Sequence, residues 1–323
     1  MNVKMVFVSY NNTSREIYTV NLDGTELKQV TYSKENEIKP IWSPDGEKIA
    51  YLLRASSKEG YRIKVIDADG KNPIEITPYP LYARDISWIK DGEKILYSSS
   101  PPGSKRKFDV WYINSDGKKE KKLTDNDKNN VSPSLSPDNL YIVYESYYGD
   151  NDGQIYTMNF DGTNKRQLTN TEWKNIQPLW SPDGKKVMFL GNVAPYNKDI
   201  FTINSDGTEI NNLTRSEGND WFPSWSPDGA KIAFQSERDG NIEIYVMNSD
   251  GKNITRLTKS PCAIDWGPIW HPNGKRIIFL SDMDDSGCSI YMVDLKGKKL
   301  RKLVNINSKL SQPDLFYKKH FMN

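Results

Sequence analysis

Hydrophobic residues in this chain alternate with polar ones in short runs, and turn-forming residues separate the runs. One class of run follows a Ser-Pro-Asp-Gly turn or a close variant, as in KIAYLL from Lys48 and KVMFLG from Lys186. A second class ends in Asp-Gly, as in IYTMNFDG from Ile155, and precedes a short segment that ends in Leu-Thr. Such alternation between turn signals is typical of half-buried β-strands. Each unit therefore predicts a four-stranded antiparallel meander, and helical periodicity is absent throughout.

The Ser-Pro-Asp-Gly motif recurs at regular intervals, directly after a tryptophan in most copies. The residues that precede the turn are Trp42, Trp88, Leu135, Trp180, Trp225 and Trp270, at spacings of 46, 47, 45, 45 and 45 residues. Pro presets the second turn position and Gly accepts a positive φ, so the motif closes a tight reversal between strands. An even period of about 45 residues indicates a repeat protein with one unit per repeat. The tryptophans are predicted to be buried wedges between neighbouring units.

The two motifs differ in number, and this difference predicts how the chain closes. The tryptophan motif occurs six times, whereas the Asp-Gly turn occurs seven times when Lys296-Gly297 is counted. The additional copy is N-terminal, where residues 4–31 supply three strands of a unit and residues 310–317 can supply the fourth. Pairing the two chain ends in one sheet protects the sheet edges. The sequence predicts an all-β, seven-bladed propeller over 1–323 as a single domain, with complete blades at 37–77, 83–124, 130–169, 175–214, 220–258 and 265–304.

The repeat resembles that of the TolB-like β-propeller family. The resemblance rests on WSPDG, on the apolar strand after it, on SERDGNIEIYVMNSDG from Ser236 and on RLT from Arg256, and it extends over nearly the whole chain. TolB itself has six blades and an N-terminal α/β domain, and this chain resembles its propeller only. The resemblance implies a periplasmic or cell-surface protein that binds a protein or peptide. Because many functions share the propeller fold, function has to be argued from the site.

Charge and hydropathy argue against several partner classes. The chain has 44 Lys and Arg against 42 Asp and Glu, a net charge of +2, whereas nucleic-acid binding usually needs a concentrated basic face. No apolar run approaches the ~20 residues that span a membrane, so membrane insertion is not expected. The first ten residues are too short for the core of a signal peptide, so an exported form would have lost its leader. A cytoplasmic location stays open, and we expect a monomer.

Catalytic and metal-binding signals are weak. The two histidines lie in a turn motif and in the C-terminal tail, and no Gly-x-Ser-x-Gly elbow is present. We therefore expect a protein without a cofactor and without enzymatic activity. Asp150 and Asp152, in YGDNDGQIY, have a spacing compatible with part of a calcium loop. Cys262 and Cys288 belong to one blade, and they are either a disulfide or two free thiols.

A ligand site is predicted where the first strand of each blade begins, at the mouth of the central channel. Positions five residues before Trp42 and its counterparts bear acids and amides, and positions two residues further on bear other polar groups. These candidates are Glu37, Asn130, Asn175, Asp220 and Asp265, followed by Lys39, Asp85 and Gln177. Loops on the same face contribute Tyr82, Tyr148, Trp173 and Tyr196. Aromatic rings beside amides and acids suit a peptide or a sugar.

The sequence thus favours a non-enzymatic binding or scaffold propeller that recognises a peptide or protein segment at the channel mouth. We expect the carboxylates of Glu37, Asp220 and Asp265 to receive a cationic or amide-bearing group of the partner. The alternative is a carbohydrate-active enzyme or a carbohydrate-binding sensor of the cell envelope.

Overall fold

The structure is a computed structural model of the 323-residue chain. It describes residues 4–10, 14–56, 60–77, 82–83, 85–100, 107–149, 152–194, 197–284, 287–308 and 316–317. In these ranges the chain forms seven separate four-stranded sheets, and all neighbouring strands are antiparallel. The predicted seven-bladed, all-β propeller is confirmed. Within the same ranges, no helix is long and apolar enough to span a bilayer.

The blades follow one another along the chain. The N-terminal strands are β1 (Lys4–Tyr10), β2 (Arg15–Asn21) and β3 (Lys28–Gln29). Blade 1 contains β4 (Asn36–Trp42), β5 (Lys48–Ser56), β6 (Gly60–Asp67) and β7 (Ile74–Glu75). Blade 2 contains β8 (Ile86–Trp88), β9 (Lys94–Ser99), β10 (Asp109–Asn114) and β11 (Lys121–Lys122). Blade 3 contains β12 (Asn129–Leu135), β13 (Tyr141–Tyr147), β14 (Gln154–Asn159) and β15 (Arg166–Gln167).

The remaining blades repeat this order. Blade 4 contains β16 (Asn175–Trp180), β17 (Lys186–Ala194), β18 (Asn197–Asn204) and β19 (Asn211–Asn212). Blade 5 contains β20 (Asp220–Trp225), β21 (Lys231–Ser236), β22 (Glu243–Asn248) and β23 (Thr255–Arg256). Blade 6 contains β24 (Asp265–Trp270), β25 (Arg276–Asp284), β26 (Gly287–Asp294) and β27 (Arg301–Ser308). The last strand, β28 (Phe316–Tyr317), pairs with β1, so the shared blade has the order β28-β1-β2-β3.

The repeated turns are stabilised by their own side chains. In blade 1 the hydroxyl of Ser43 donates to Asp45 Oδ1 at 2.6 Å, and the same carboxylate accepts the backbone N–H of Glu47 at 2.9 Å. Gly46 completes this turn with φ 70°. Ser136, Ser181 and Ser226 make the same contact two residues on, to Asp138, Asp183 and Asp228. The carboxylate thus satisfies a backbone donor that the reversal leaves unpaired. These turns all lie at one end of the ring, which we call the turn face.

The recurring tryptophans lie between blades. Trp42, Trp180, Trp225 and Trp270 are buried. Trp180 packs among residues of blades 3 and 4, including Val143 and Phe189. Its indole N–H donates to the carbonyl of Ser134 in the first strand of the preceding blade, at 3.2 Å, and Trp270 donates in the same way to Ser224 at 2.9 Å. The rings of Trp180 and Trp270 are therefore both wedges and inter-blade hydrogen-bond donors, whereas those of Trp42 and Trp225 act as wedges only.

The ring is joined between blade 6 and the shared blade by the same contacts that join other neighbours. A Cβ on Gly24 would lie 2.9 Å from the carbonyl oxygen of Leu303, and one on Gly70 would lie 2.8 Å from that of Val30. Only glycine permits this approach of a turn to the outer strand of the previous blade. Arg301 donates to the carbonyl of Asp23 across the same junction. One apolar cluster includes Met5 and Phe7 of the shared blade together with blade 6 residues.

Candidate functional site

The end of the ring opposite the turn face carries the inter-blade loops, and we call it the mouth face. A cavity of about 570 Å³ opens there among blades 1 to 4, and we call it the mouth cavity. Its apolar lining comes from four strand residues and two loop residues: Ile38, Leu52, Val131 and Ile176, with Ala83 and Phe108. Its polar lining comes from Lys39, Tyr61, Tyr82, Asp85, Ser132, Glu145, Lys174 and Gln177. The cavity thus combines an apolar surface with convergent polar groups, which is typical of ligand sites.

Asp85 connects three blades at the edge of this cavity. Its Oδ1 atom lies 3.3 Å from Nζ of Lys39 in blade 1. Its Oδ2 atom accepts the backbone N–H of Ser132 in blade 3 at 3.2 Å and the hydroxyl of Ser98 at 3.3 Å. The carboxylate therefore fixes the relative positions of the first strands of blades 1 and 3.

A second ion pair lies deeper in the cavity. The Glu145 carboxylate and Nζ of Lys174 are 4.0 Å apart, and the Glu145 side chain is buried. The ammonium of Lys174 also lies 5.2 Å from the centre of the Tyr147 ring, within range of a cation–π contact. Glu145 stands on the second strand of its blade, where Leu52 and Leu190 stand in blades 1 and 4. Blades 2 and 5 have the neutral polar residues Ser98 and Gln235 at this position, so Glu145 is the one acid among the six complete blades, and a buried acid is uncommon unless it is paired.

A backbone irregularity recurs in the first strands, which lie beside one another along the channel. In five blades the pairing with the second strand shifts register by one residue, as at a β-bulge. The residue at the shift has a positive φ and is followed by proline in each case: Lys39 (51°), Ser132 (52°), Gln177 (54°), Phe222 (48°) and Gly267 (62°). We call these five residues the bulge ring. A bulge re-aims side chains, and the left-handed conformation costs a non-glycine residue about 1–2 kcal/mol.

Four of the predicted site residues come together in the mouth cavity. Lys39, Asp85, Gln177 and Tyr82 all line it, although they belong to three different blades. Lys39 and Gln177 are also members of the bulge ring.

The outer candidates Glu37, Asn130, Asn175, Asp220 and Asp265 lie elsewhere, and their expected exposure is corrected. All five are at most 1% exposed. The amides bind the loop that enters their own blade: Nδ2 of Asn130 donates to Asn126 Oδ1 at 2.9 Å, and Nδ2 of Asn175 donates to Thr171 Oγ1 at 2.6 Å. The sequence position was read as the rim of the channel, but each strand begins beneath a loop that covers this side chain.

The three buried acids have perturbed titration. Burial raises the pKa of Glu37 to about 7, and Glu16 nearby adds to the shift. Burial, with Glu243 nearby, raises the pKa of Asp265 to about 6. Burial also raises the pKa of Asp220 above its usual value, although Arg238, whose guanidinium is 3.0 Å away, acts in the opposite direction. In the described part of the chain one oxygen of each acid accepts no hydrogen bond.

The predicted loop aromatics have different environments. Tyr148 is 63% exposed, and its ring lies 5.0 Å from Nζ of Lys128. Trp173 is half-buried and packs on Phe201, with ring centres 5.9 Å apart, so it belongs to the contact between blades 3 and 4. Tyr196 lies outside the described residues.

The calcium and disulfide candidates have other structural contacts. Asp152 accepts the backbone N–H groups of Tyr148 and Gly149, at 3.1 and 2.8 Å, so its carboxylate caps a turn. Asp150 lies outside the described residues. Both cysteines are free thiols: Cys262 is exposed in a loop, whereas Cys288 is buried against the shared blade. The disulfide alternative is therefore corrected, and burial raises the pKa of the Cys288 thiol to about 12.

A sequence profile of the TolB beta propeller domain matches residues 47–217, 101–261 and 222–322, which together form most of the chain. The chain belongs to the TolB β-propeller family. Its sequence is 32% identical over 147 residues to a protein TolB homolog of Chlorobium luteolum, across 44% of this chain and 31% of that protein. It is also 47% identical over 45 residues to dipeptidyl-peptidase 5 of Porphyromonas gingivalis, across 14% of this chain and 7% of that protein. This TolB-family chain thus spans less than a third of the length of either relative.

The fold is also shared with the propeller of an enzyme. A puromycin hydrolase structure superposes with a TM-score of 0.76 at 14% sequence identity, across 93% of this chain and 52% of that one. At this identity the likeness concerns the fold only. Relatives of the TolB propeller therefore include proteins with peptidase names, and membership of the family supports a binding role without excluding a catalytic assembly.

Besides the apolar lining, three polar residues of the mouth cavity were missed from the sequence: Tyr61, Glu145 and Lys174. For Glu145 the sequence holds a partial signal, because the same strand position is leucine in blades 1, 4 and 6 and a neutral polar residue in blades 2 and 5. No comparable signal marks Tyr61 or Lys174, since both stand near blade edges where polar and aromatic residues are common.

Proposed function

We propose that this chain is a binding module that recognises a peptide or protein segment at the mouth cavity. The observation that carries the proposal is the make-up of the cavity, whose 570 Å³ combine six apolar side chains with two tyrosines and two ion pairs. A peptide offers aliphatic side chains to the first group and amide or charged groups to the second.

The apolar lining favours a peptide over a sugar. Ile38, Leu52, Val131 and Ile176 are aliphatic, whereas a sugar ring is usually held on an exposed aromatic face. The charged groups act as paired anchors: Lys39 is within 4 Å of Asp85, and Lys174 is at that distance from Glu145. This arrangement serves recognition and positioning, and it supports a non-enzymatic role for the chain described here.

Family membership supports the wider setting of this proposal. We place the chain in the periplasm or at the cell surface, as a monomer with a protein partner. A second candidate follows from the similarity to dipeptidyl-peptidase 5, in which the same mouth would admit peptides to a catalytic domain. Both candidates require that the mouth cavity contacts peptide, and a carbohydrate function does not.

The test is capture of a partner by the immobilised chain, with charge reversal at either end of the ring. Lys39→Glu alters the mouth cavity, whereas Lys90→Glu alters a lysine beside Pro137 at the turn face. We expect a polypeptide that is retained by wild-type protein and by Lys90→Glu, but lost from Lys39→Glu. Retention by both variants would place the site elsewhere, and elution by oligosaccharides alone would favour the carbohydrate function.

A further inference from the structure

We propose that the bulge ring sets the specificity of the mouth, and that the segment it recognises is acidic. This inference rests on the proposed function and adds the chemistry of the partner. Three features of the described structure support it: the variety of side chains on one repeated backbone, the groups that bind the bulge N–H atoms, and the exposure of the charges around the mouth.

The first feature is that the bulge ring repeats one backbone conformation with unrelated side chains. The positive φ values differ by no more than 14° across the five residues. Four of the side chains carry an ammonium, a hydroxyl, an amide and an aromatic ring, and the fifth residue is glycine. Glycine adopts this conformation without strain, and Gly267 does so in blade 6. Phe222 is a bulky residue at φ 48° with 44% of its surface exposed, which is a rare combination. Packing alone does not explain an exposed aromatic ring at a strained position.

A second set of left-handed residues provides the contrast. Each of the seven Asp-Gly or Lys-Gly turns that precede the outermost strand of a blade has a positive φ two residues after its glycine, at Glu26, Asn72, Lys119, Asn164, Glu209, Asn253 and Lys299. All seven residues are asparagine or charged, and they stand on the turn face, away from the mouth cavity. Left-handed geometry therefore has no fixed link to function in this molecule. The bulge ring differs in facing the channel and in including an apolar member.

The second feature concerns the backbone donors of the bulge. The N–H of Ser132 donates to the carboxylate of Asp85 at 3.2 Å, and the N–H of Gly267 donates to Oε1 of Gln235 at 3.0 Å. In both cases an oxygen from the preceding blade occupies the space in front of the bulge. The carboxylate of Asp85 thus binds both a bulge N–H and the ammonium of Lys39. A carboxylate of a partner can make the same kind of contact with these groups.

The third feature is the accessibility of charge. Two ion pairs line the mouth cavity. Lys39 and Asp85 are about equally exposed, at 36% and 34%, whereas Lys174 is more exposed than Glu145, at 21% and 7%. A segment that enters the cavity therefore meets the ammonium groups at least as readily as the carboxylates. This differs from the expectation from the sequence, where acids were placed at the rim.

The probe is a set of three pools of fluorescent synthetic peptides, about a dozen residues long, that differ only at fixed positions. These positions carry Asp and Glu in the first pool, Asn and Gln in the second, and Lys and Arg in the third. We expect the full chain to bind the acidic pool about tenfold more tightly than the amide pool, with a difference that shrinks at high salt. Equal binding of the acidic and amide pools, preference for the basic pool, or binding of no pool would overturn the inference.

Two lysines on the chain provide a matched pair of variants. Lys39→Gly and Lys119→Gly remove the same side chain at nearly the same φ, 51° and 53°, so they relieve similar backbone strain. We expect Lys39→Gly to weaken binding of the acidic pool about tenfold and Lys119→Gly to change it less than about twofold, with similar shifts in melting temperature. Equal losses in both variants would overturn the inference.

Phe222→Ala tests the apolar member of the bulge ring. It is expected to weaken every pool that binds, because it removes an apolar contact without changing charge.

The charge-reversal variant Lys39→Glu separates this inference from the proposed function. If the amide or basic pool binds best and Lys39→Glu abolishes that binding, the mouth remains the site and only the acidic specificity is wrong. If the partner captured by the immobilised chain is also unaffected by Lys39→Glu, the proposed function itself is wrong.

Discussion

Two kinds of inter-blade junction use the same position of the repeat, and they balance buried charge differently. In the amide junction before blade 3, Nδ2 of Asn130 donates to Oδ1 of Asp109 at 3.3 Å. In the acid junction before blade 1, Glu37 occupies the position of Asn130, and Glu16 occupies that of Asp109. Ser33 binds both of these acids, through its N–H to Glu16 at 3.2 Å and through its hydroxyl to Glu37 at 2.6 Å. The amide stabilises the neighbouring carboxylate with a hydrogen bond, whereas the proximity of two buried acids favours protonation of one of them.

This difference shows that a buried polar pair at one position of the fold can be stabilised in two ways, by a hydrogen bond from an amide or by protonation of an acid. Glu16 and Glu37 are both buried, and so are Glu243 and Asp265 at the junction before blade 6. A buried carboxylate near another favours the protonated form, which is the direction seen for Glu37 and Asp265. The acid junctions therefore make part of the stability of the ring depend on pH.

The largest expected effect comes from the tryptophan wedge, which both kinds of blade share. Trp180 stands in a blade that begins at an amide junction, and Trp225 stands in one that begins at an acid junction. Trp180→Ala and Trp225→Ala should each lower the free energy of unfolding by about 3–5 kcal/mol, the usual cost of emptying a large aromatic site. Denaturant unfolding measures this cost, with the exposed Tyr32→Ala as control. Unchanged stability with lost binding would make the tryptophans ligand contacts.

The next effect is conversion of an amide junction into an acid junction. Asn130→Asp places a second carboxylate beside Asp109 and removes the amide donor, so we expect a loss of about 3 kcal/mol at pH 8. Much of the loss should be recovered at pH 5, where the pair can bind a proton. Asn253→Asp, in an exposed turn, is the matched control. A loss that is equal at both pH values would indicate a packing defect rather than charge.

The smallest effect is the reverse conversion. The pKa of Glu37 is raised from 4.5 to about 7, so its contribution to stability is complete below pH 4.5 and disappears as the pH rises through 7. Glu37→Gln cannot titrate and keeps a hydrogen-bond acceptor for Ser33. We expect its melting temperature relative to wild type to be higher at pH 8 than at pH 5, by the equivalent of about 1–2 kcal/mol. The exposed Glu47→Gln should show no such difference, and a Glu37→Gln effect that is the same at both pH values would contradict the titration.

The fold could be predicted because its determinants are local and repeated. The spacing of Trp42 and its counterparts sets the unit, and the extra Asp-Gly turn near Asp23 sets the number of blades. Both signals depend on turn chemistry and on alternation along a strand, which a single sequence displays directly. The structure pairs Met5 with Tyr317, which lies inside the segment 310–317 that this counting proposed for the closing strand.

The site was less predictable because it depends on small displacements between distant repeats. Counting back from the tryptophan placed Glu37 and Lys39 on one rim, but a loop covers the first residue and a bulge turns the second toward the channel. Burial by a loop leaves no mark in strand alternation. The X-Pro pair in the first strand was visible in sequence, as in Lys39-Pro40 and Gln177-Pro178, but its left-handed geometry required the structure.

These prolines have a further consequence for any ligand that enters the channel. Pro40, Pro133, Pro178, Pro223 and Pro268 each follow a bulge residue on the first strand, which is the free edge of its sheet. A proline has no N–H to offer, and the bulge breaks the regular spacing of the carbonyls beside it. An extended chain therefore cannot join these sheets by β-augmentation as an additional strand. Recognition along these five strands therefore proceeds through side chains, so selectivity can be altered one blade at a time without altering the strand ladder.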